Sequence, residues 1–475
     1  MRRVSLVGLA VLIAFGAAHA AEEVLGLPLH VERLNPKAVR VWLGDYLSST
    51  ATVALSTSNG IVVIDTVGIP KVDQELRQVI ARELGRSDFK YLINTHEHAD
   101  HTGGNSVYAD CTIVAHQLCL EAMKRPLQHR EEALRWHRES LEDLPRQIKK
   151  LPAASPEAKK LKEELVHQGL NLEALQANLP PKLPTRTFAD QMTLDLGDTT
   201  LELYYAGSTH TASDIFIFIP QHGILMTGDT MADVWLTDTP GCLAGFRVNS
   251  GVPHDFPLLL QNWSLLLAKR DQIKDLIPGH WNGDISIKGF EDRYRYIKAM
   301  SEGIPQAVKE GKTLEDLFGD FRLSAKFPEL VNSPGFNGQN QAVTILSLYS
   351  DATGLRSAAE RLYELIEQGA PEDAIREVLA ERDRKPGKYF FLEVEINGRG
   401  YVFLSQDRPR EAVRLLKINA DLFPISWNAY DSLAEAHMKN GDNVEAIKLY
   451  EKSLELNPDN KNGKEMLARL RAGAK

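Results

Sequence analysis

The sequence predicts an α+β fold with an all-α appendage. A mixed domain covers residues 21–300, a helical hairpin over 117–183 is inserted into it, a connecting region covers 301–350, and a helical repeat domain closes the chain over 351–475. Three observations carry that reading. Short apolar runs such as Ile61-Val62-Val63-Ile64 alternate with helix-periodic stretches such as Val72–Leu84, as where strands are buried on both faces. The middle of the chain turns highly charged, with leucines at helical spacing. Near the C-terminus, residues recur every 34 positions.

The N-terminus comes first. Arg2 and Arg3 precede the apolar stretch Val4–Phe15, and Ala18-His19-Ala20 follows the small-x-small cleavage pattern. These features read as a secretory signal over residues 1–20, with the mature chain starting near Ala21 in the periplasm or outside the cell. No later stretch holds about 18 uninterrupted apolar residues, so no membrane span is expected after cleavage. The net charge is −9, and no block of Lys and Arg is free of acids, which argues against nucleic acid as a partner. The three cysteines, Cys111, Cys119 and Cys242, are an odd number, so at least one is a thiol or pairs between chains; Cys111 and Cys119 could pair.

Ile61–Ile64 reads as a buried strand ending at Asp65, and Tyr91-Leu92-Ile93 as a second, with His96 in the loop after it. In the insert, Leu127, Leu134, Leu141 and Ile148 recur every seven residues, with Leu144 and Leu151 offset by three. They form one stripe of a long helix, which Pro152 and Pro156 break. Leu161, Leu165, Leu172, Leu175 and Leu179 suggest the returning helix. The hairpin would serve packing or dimerisation, or would cover a site as a lid. Strand pattern returns at Phe188. Ile215–Ile219 and Ile224–Met226 flank Pro220-Gln221-His222-Gly223 as a hairpin. Ile277-Pro278-Gly279-His280 ends another strand, and Pro334–Asn340 reads as a loop.

In the last region Gly400 matches Ala434, Ala412 matches Ala446, Leu416 matches Tyr450 and Pro424 matches Pro458. A 34-residue period with small residues at helix contacts and a closing Pro resembles the tetratricopeptide family, most closely over Ala429–Pro458. Only two units are clear. Such stacks need about three or more, so helices around Arg356–Glu381 are expected to cap or extend them. The resemblance implies either a stabilising appendage or a surface for a protein partner or a second copy.

The chemistry centres on Thr95-His96-Glu97-His98-Ala99-Asp100-His101-Thr102-Gly103-Gly104. Four metal-competent side chains fall within six residues after a strand. On a loop, His96 and His98 can face one ion while Asp100 and His101 turn to a second, with Gly103 and Gly104 suiting a tight turn into a helix. A helical zinc HExxH motif does not fit, because Asp100 stands where the second His is required. His210, just before an apolar strand, and Asp229 and His280, each just after one, are individually weak signals, since a lone His is usually structural.

Taken in order, these segments resemble the metallo-β-lactamase superfamily over roughly residues 37–300, apart from the insert. The resemblance implies a four-layer αβ/βα sandwich. It assigns His96, His98 and His210 to a first zinc, Asp100, His101 and His280 to a second, and Asp229 to both. Asp65 would support the metal loop without ligating. Imidazoles and carboxylates suit zinc, and iron or manganese remain compatible. The implied activity is hydrolysis of a small acyl, lactone, thioester or β-lactam-like substrate by a hydroxide bridging the metals, with Asp100 passing a proton to the leaving group. An aspartate at 229, where true β-lactamases carry Cys or Ser, turns the expectation away from β-lactams. Two other readings stand beside it: a mononuclear iron oxidative enzyme of the same fold, and a repeat-mediated binding protein with a vestigial metal site.

Asp233, Trp235, Phe246, Arg247, Asn249 and His254 could line a pocket, and Trp136 and His137 could approach the site from the insert. His116, His129, His167, His222 and His437 match no motif and read as structural or exposed.

Overall fold

The apolar run Gly60–Ile64 is a strand in the computed structural model, with every residue buried. The structure describes residues 22–45, 50–125, 130–207, 210–231, 255–280, 286–322, 326–330, 338–385 and 387–473. The expected signal, Cys242, His129 and the six pocket residues between Asp233 and His254 lie outside them. The chain divides into two units. The first comprises residues up to 93, 98–113 and 134–182; the second comprises 94–97, 114–133 and everything from 183.

In the first unit, six strands pair in chain order: β1 (Glu23–Val24), β2 (Leu27–Asn35), β3 (Ala38–Leu43), β4 (Thr52–Thr57), β5 (Gly60–Ile64) and β6 (Phe89–Ile93). Pairing is antiparallel up to β5, and β5 to β6 is parallel. A parallel step needs a crossover, and the helix Pro70–Leu84 supplies it. Pro70 opens that helix, and Gly85 closes it in a left-handed conformation. Its Val72, Leu76, Val79 and Ile80 join Val39, Val41, Ile61 and Val63 in one core.

The insert forms two helices, Arg130–Ile148 and Pro156–Ala177. Pro156 does not break a helix: it starts the second one, behind the Ser155 hydroxyl that accepts from the Ala158 amide at 3.1 Å. Pro145 is accommodated inside the first. Leu170 enters the first unit's core, with Val166 and Ala174 packed against it. Glu163 accepts from the Asp45 amide at 2.9 Å, and Lys71 pairs with Glu173 at 3.0 Å. Within this unit the hairpin is therefore docked along its second helix.

In the second unit, β7 (Thr112–His116) pairs in parallel with β8 (Arg186–Phe188) through Val114–His116. The strands β9 (Gln191–Asp195), β10 (Thr200–Tyr205), β11 (Ile215–Ile219), β12 (Ile224–Gly228) and β13 (Asp275–Pro278) form a sheet of order β13-β12-β11-β10-β9, antiparallel except for β12–β13. The helices Phe256–Ala268 and Ile287–Lys309 share a core with it, centred on Trp263, Phe290, Phe216, Phe218 and Leu225. The latter helix runs through residue 300, where the sequence reading set a boundary. Ile345 and Leu346 of the helix Gly338–Thr353 belong to the same core.

From Ala358 onward the described chain is almost wholly helical. The pairs Glu393–Ser405 with Pro409–Leu422, and Trp427–Lys439 with Asn443–Leu456, are the two repeats. Gly400 meets Leu416 across the first pair: a Cβ on Gly400 would lie 2.4 Å from Leu416 Cδ2. Ala434 and Tyr450, 34 positions on, share a cluster in the second. Upstream, Ala358–Glu367 and Glu372–Ala380 extend the core of the first repeat, and Leu467 of the final helix Lys461–Gly473 closes the other end. Among the described residues no helix is long and apolar enough to cross a membrane.

Candidate metal centre

Sheet order explains how three distant residues meet in the second unit. β12 and β13 are parallel neighbours, so their C-terminal ends lie side by side, and Asp229 and His280 follow those ends directly. β11 runs antiparallel to β12, so its N-terminal end, preceded by His210, falls at the same edge. The Ile215 amide donates to the Thr95 carbonyl at 3.0 Å, which brings His96 to that edge as well. The Asp229 Oδ2 atom lies 3.0 Å from His280 Nε2, 3.5 Å from His210 Nε2 and 3.8 Å from His96 Nε2. All four side chains are at most 2% exposed. The His96 and His210 rings meet edge to face at 5.2 Å.

The first unit carries the rest of the motif. Ala99–Thr102 is a helical turn, not an irregular loop, and His98 stands at its N-cap in an extended conformation. The His98 carbonyl accepts from the His101 and Thr102 amides, each at 3.0 Å. This puts Asp100 and His101 on the turn while His98 stays outside it. His101 is gripped by the residues after β5. Its Nδ1 lies 3.0 Å from Asp65 Oδ2, and its carbonyl accepts from the Thr66 amide at 3.1 Å and the Thr66 hydroxyl at 3.0 Å. Asp65 has a positive φ of 55°, costly for a residue with a Cβ and tolerable only where such bonds hold it. His101 Nε2 is 3.5 Å from Asp100 Oδ2, and that oxygen is also 3.5 Å from the Thr50 hydroxyl. Asp100 is 46% exposed, whereas His101 is buried.

The glycines after the motif form the turn that leads into the short 3-10 helix Asn105–Tyr108. Gly103 and Gly104 follow the helical turn and have ordinary negative φ. They are there for close approach: a Cβ on Gly103 would sit 2.4 Å from the Gly68 carbonyl, and one on Gly104 would sit 1.9 Å from Asp73 Oδ2.

Several residues around these ligand-type groups had no signal in the sequence. Thr95 Oγ1 is 3.1 Å from His96 Nδ1, leaving Nε2 toward Asp229. Asp214 holds the turn after His210, accepting from the Thr211 amide at 2.7 Å and its hydroxyl at 2.9 Å. His167, read from sequence as structural or exposed, sits on the docked insert helix. Burial first and then His137 push its pKa down to about 4, against the opposing charge of Asp100. His137 Nδ1 lies 2.5 Å from Gln168 Oε1, and Trp136 is exposed. His116 is structural: Nε2 donates to the Ala189 carbonyl at 2.6 Å, Nδ1 accepts from the Leu118 amide, and the ring stacks on Tyr205. His222 contacts Thr199 and His437 contacts Asp442, both away from this edge. Cys111 and Cys119 are separate buried thiols, not a disulfide, and burial pushes Cys111 up to about 11.

The donor set fits a divalent ion. In the second unit the ligand atoms of His96, His210 and Asp229 lie within 4.8 Å of one another, as do those of Asp100 and His101 in the first. Imidazole nitrogens and carboxylate oxygens are the ligands zinc and other first-row divalent metals take, and burial removes competing water.

Residues 44–280 match the metallo-beta-lactamase superfamily, and residues 427–460 match the tetratricopeptide repeat. The chain belongs to the metallo-beta-lactamase superfamily, with a tetratricopeptide region at its C-terminus. One relative is the 2,4-dinitroanisole O-demethylase subunit alpha of Nocardioides sp. (strain JS1661), 22% identical over 275 residues, which are 57% of this chain and 64% of that protein. Another is the metallo-beta-lactamase type 2 of Bacillus sp. (strain 170), 23% identical over 250 residues, 52% of this chain and 71% of that one. The solved structure of the stereoselective inverting sec-alkylsulfatase Pisa1 from Pseudomonas sp. is also similar, at 14% identity and a TM-score of 0.49, covering 90% of this chain and 66% of that one. Membership points to a metal-dependent hydrolase or a related enzyme.

Proposed function

We propose that this protein is an exported dinuclear zinc hydrolase acting on a small acyl, lactone, thioester or related ester-like substrate. His96, His98 and His210 would hold one ion, Asp100, His101 and His280 the other, and Asp229 both. The observation that carries this reading is the convergence of three buried imidazoles on the Asp229 carboxylate, at 3.0 to 3.8 Å. His96, His98, Asp100 and His101 lie on one six-residue segment. Bound divalent ions supply two things: an acidic water, with a pKa of about 7, and polarisation of an electrophile.

The protein's own residues set the rest. Asp65 accepts from His101 Nδ1 and so leaves Nε2 as the ligand atom, the usual carboxylate support for a ligating imidazole. Asp229 is buried and acceptor-only when ionised, suited to a position between two cations. Asp100 is the exposed carboxylate of the set and would carry a proton to a leaving group, with the Thr50 hydroxyl 3.5 Å from its Oδ2. An aspartate at 229 supports the ester-type substrates over β-lactams. The two named relatives differ in activity, one an O-demethylase and one a β-lactamase, so an aryl methyl ether belongs among the substrates tested.

The test is initial rates for the chain from Ala21, zinc-loaded and chelator-stripped, on a lactone, a thioester, a β-lactam, a sulfate ester, a phosphodiester and a nitroaryl methyl ether. Zinc-dependent turnover that Asp229→Asn lowers by at least about 100-fold is expected. Two zincs per chain with Asp229→Asn at the wild-type rate would sink the ligand assignment, and one iron per chain would sink zinc. Export is checked by N-terminal sequencing of the periplasmic or secreted protein, with Ala21 first.

A further inference from the structure

Glu97 lies between two proposed ligands and ligates nothing in the reading above. Its Oε2 atom accepts a short hydrogen bond from the Ser213 hydroxyl, 116 residues away in sequence. Ser213 is fully buried and fixed from its other side: its amide donates to Thr211 Oγ1 at 3.1 Å, and both the amide and hydroxyl of Thr211 are held by Asp214. Two residues before Glu97, the Thr95 carbonyl accepts from the Ile215 amide at 3.0 Å. The segment carrying His96 is thus tied to the turn carrying His210 on both sides of His96, by a main-chain bond at Thr95 and a charge-assisted side-chain bond at Glu97.

We propose that Glu97 and Ser213 are positioning residues that set the separation of His96 and His210, and so the affinity of the ion those two histidines share. The inference rests on the dinuclear reading. Thr95 orients the His96 ring about its own axis, and the pair of ties fixes the main chain on which that ring stands against the His210 turn. Without the Glu97 tie, the segment is held to the His210 turn from the Thr95 side of His96, and more of the ordering of the ligand atoms falls to the metal. Partners of this kind change metal affinity by about 10–100-fold.

The experiment is chelator-competition titration of the full mature chain with zinc, together with the visible spectrum of the cobalt-substituted protein. Ser213→Ala and Glu97→Ala should each weaken the tighter-bound fraction about 10-fold or more and alter the cobalt spectrum. Glu97→Gln, which can still accept from Ser213, should recover most of the affinity. The double variant Glu97→Ala/Ser213→Ala should be no worse than either single one, since both remove the same bond. Melting of the metal-free protein, measured alongside, should change little; affinity losses explained wholly by a collapse of metal-free stability would overturn the assignment. So would affinities all within about twofold of wild type, or losses that simply add. His210→Ala is the control for the underlying reading. If it leaves both zincs bound as in wild type, the ligand assignment fails and this inference falls with it; if it weakens one zinc while the Glu97 and Ser213 variants bind normally, only the inference fails.

Discussion

Asp73 shows how the surroundings of one side chain set a property that no motif records. It lies in the first turn of the helix Pro70–Leu84, fully buried, with one carboxylate oxygen accepting from the Val67 amide at 2.9 Å and the other against Gly104. Burial raises its pKa to about 7, the two backbone hydrogen bonds only partly opposing that. The folded state therefore keeps a proton that the unfolded chain releases near pH 4. That stabilisation is complete below about pH 4, is lost as pH rises to about 7, and is constant above. Asp73→Asn removes the dependence. The stability difference between Asp73→Asn and wild type should shift in favour of the variant between pH 4 and 7, by at most about 4 kcal/mol. Denaturant melts across that range check it, and a difference that does not vary with pH would refute it. A buried aspartate in a helix's first turn reads from sequence as an ordinary helix-start residue. Its role under the 65–68 turn follows only from Val67 and Gly104 closing over it.

At the scale of elements, the repeat region shows sequence and packing in register. Gly400 with Leu416 and Ala434 with Tyr450 are the same small-against-large contact, one repeat apart. Gly400→Ala gains about 1 kcal/mol of helix propensity. The added methyl would stand 2.5 Å from Leu416 Cγ in a fully buried cluster, where overpacking costs about 1–3 kcal/mol. The crowding term should win, leaving the variant net destabilised by about 1 kcal/mol in denaturant unfolding, with Leu416→Val restoring part of it. A variant as stable as wild type would mean the two helices separate without cost. Elements were legible wherever local pattern sufficed. The runs at 61–64, 215–219 and 224–226 announced strands, and 34-residue spacing announced the repeat. The helical turn at 99–102 was not legible, since four residues rich in histidine and aspartate have no helical pattern to read. Pro156 was misread because a proline that breaks one helix and one that starts the next look alike until Ser155 is seen capping it.

For the whole molecule, the expected consequence of metal binding is stabilisation by mass action. Zinc held at 100 times its dissociation constant adds about 2.7 kcal/mol. Chelator should lower the melting temperature, and excess zinc should restore it. An unchanged melt after verified zinc removal would mean that zinc does not bind the folded chain in preference to the unfolded one, against the ligand assignment. His210→Ala protein should keep only part of that zinc-dependent shift, since Asp100, His101, His280 and Asp229 remain for the other ion.

The sequence by itself determined what depends on near neighbours. It singled out the candidate ligands, from the spacing of His96 to His101 and from the placement of His210, Asp229 and His280 at strand ends. It also set the strands, the charged helical insert and the repeat period, because hydrophobic periodicity and motif spacing are properties of short segments. The tertiary structure decided what depends on segments far apart. Sheet order put the ends of β11, β12 and β13 at one edge, so that His210, Asp229 and His280 meet. Docking of the insert helix set His167 within the field of Asp100. Folding of the His210 turn against residues 94–97 joined Ser213 to Glu97 across 116 residues. Such pairings leave no period in the chain, since the energy that selects them comes from burial and hydrogen bonds made only once the strands have taken their order.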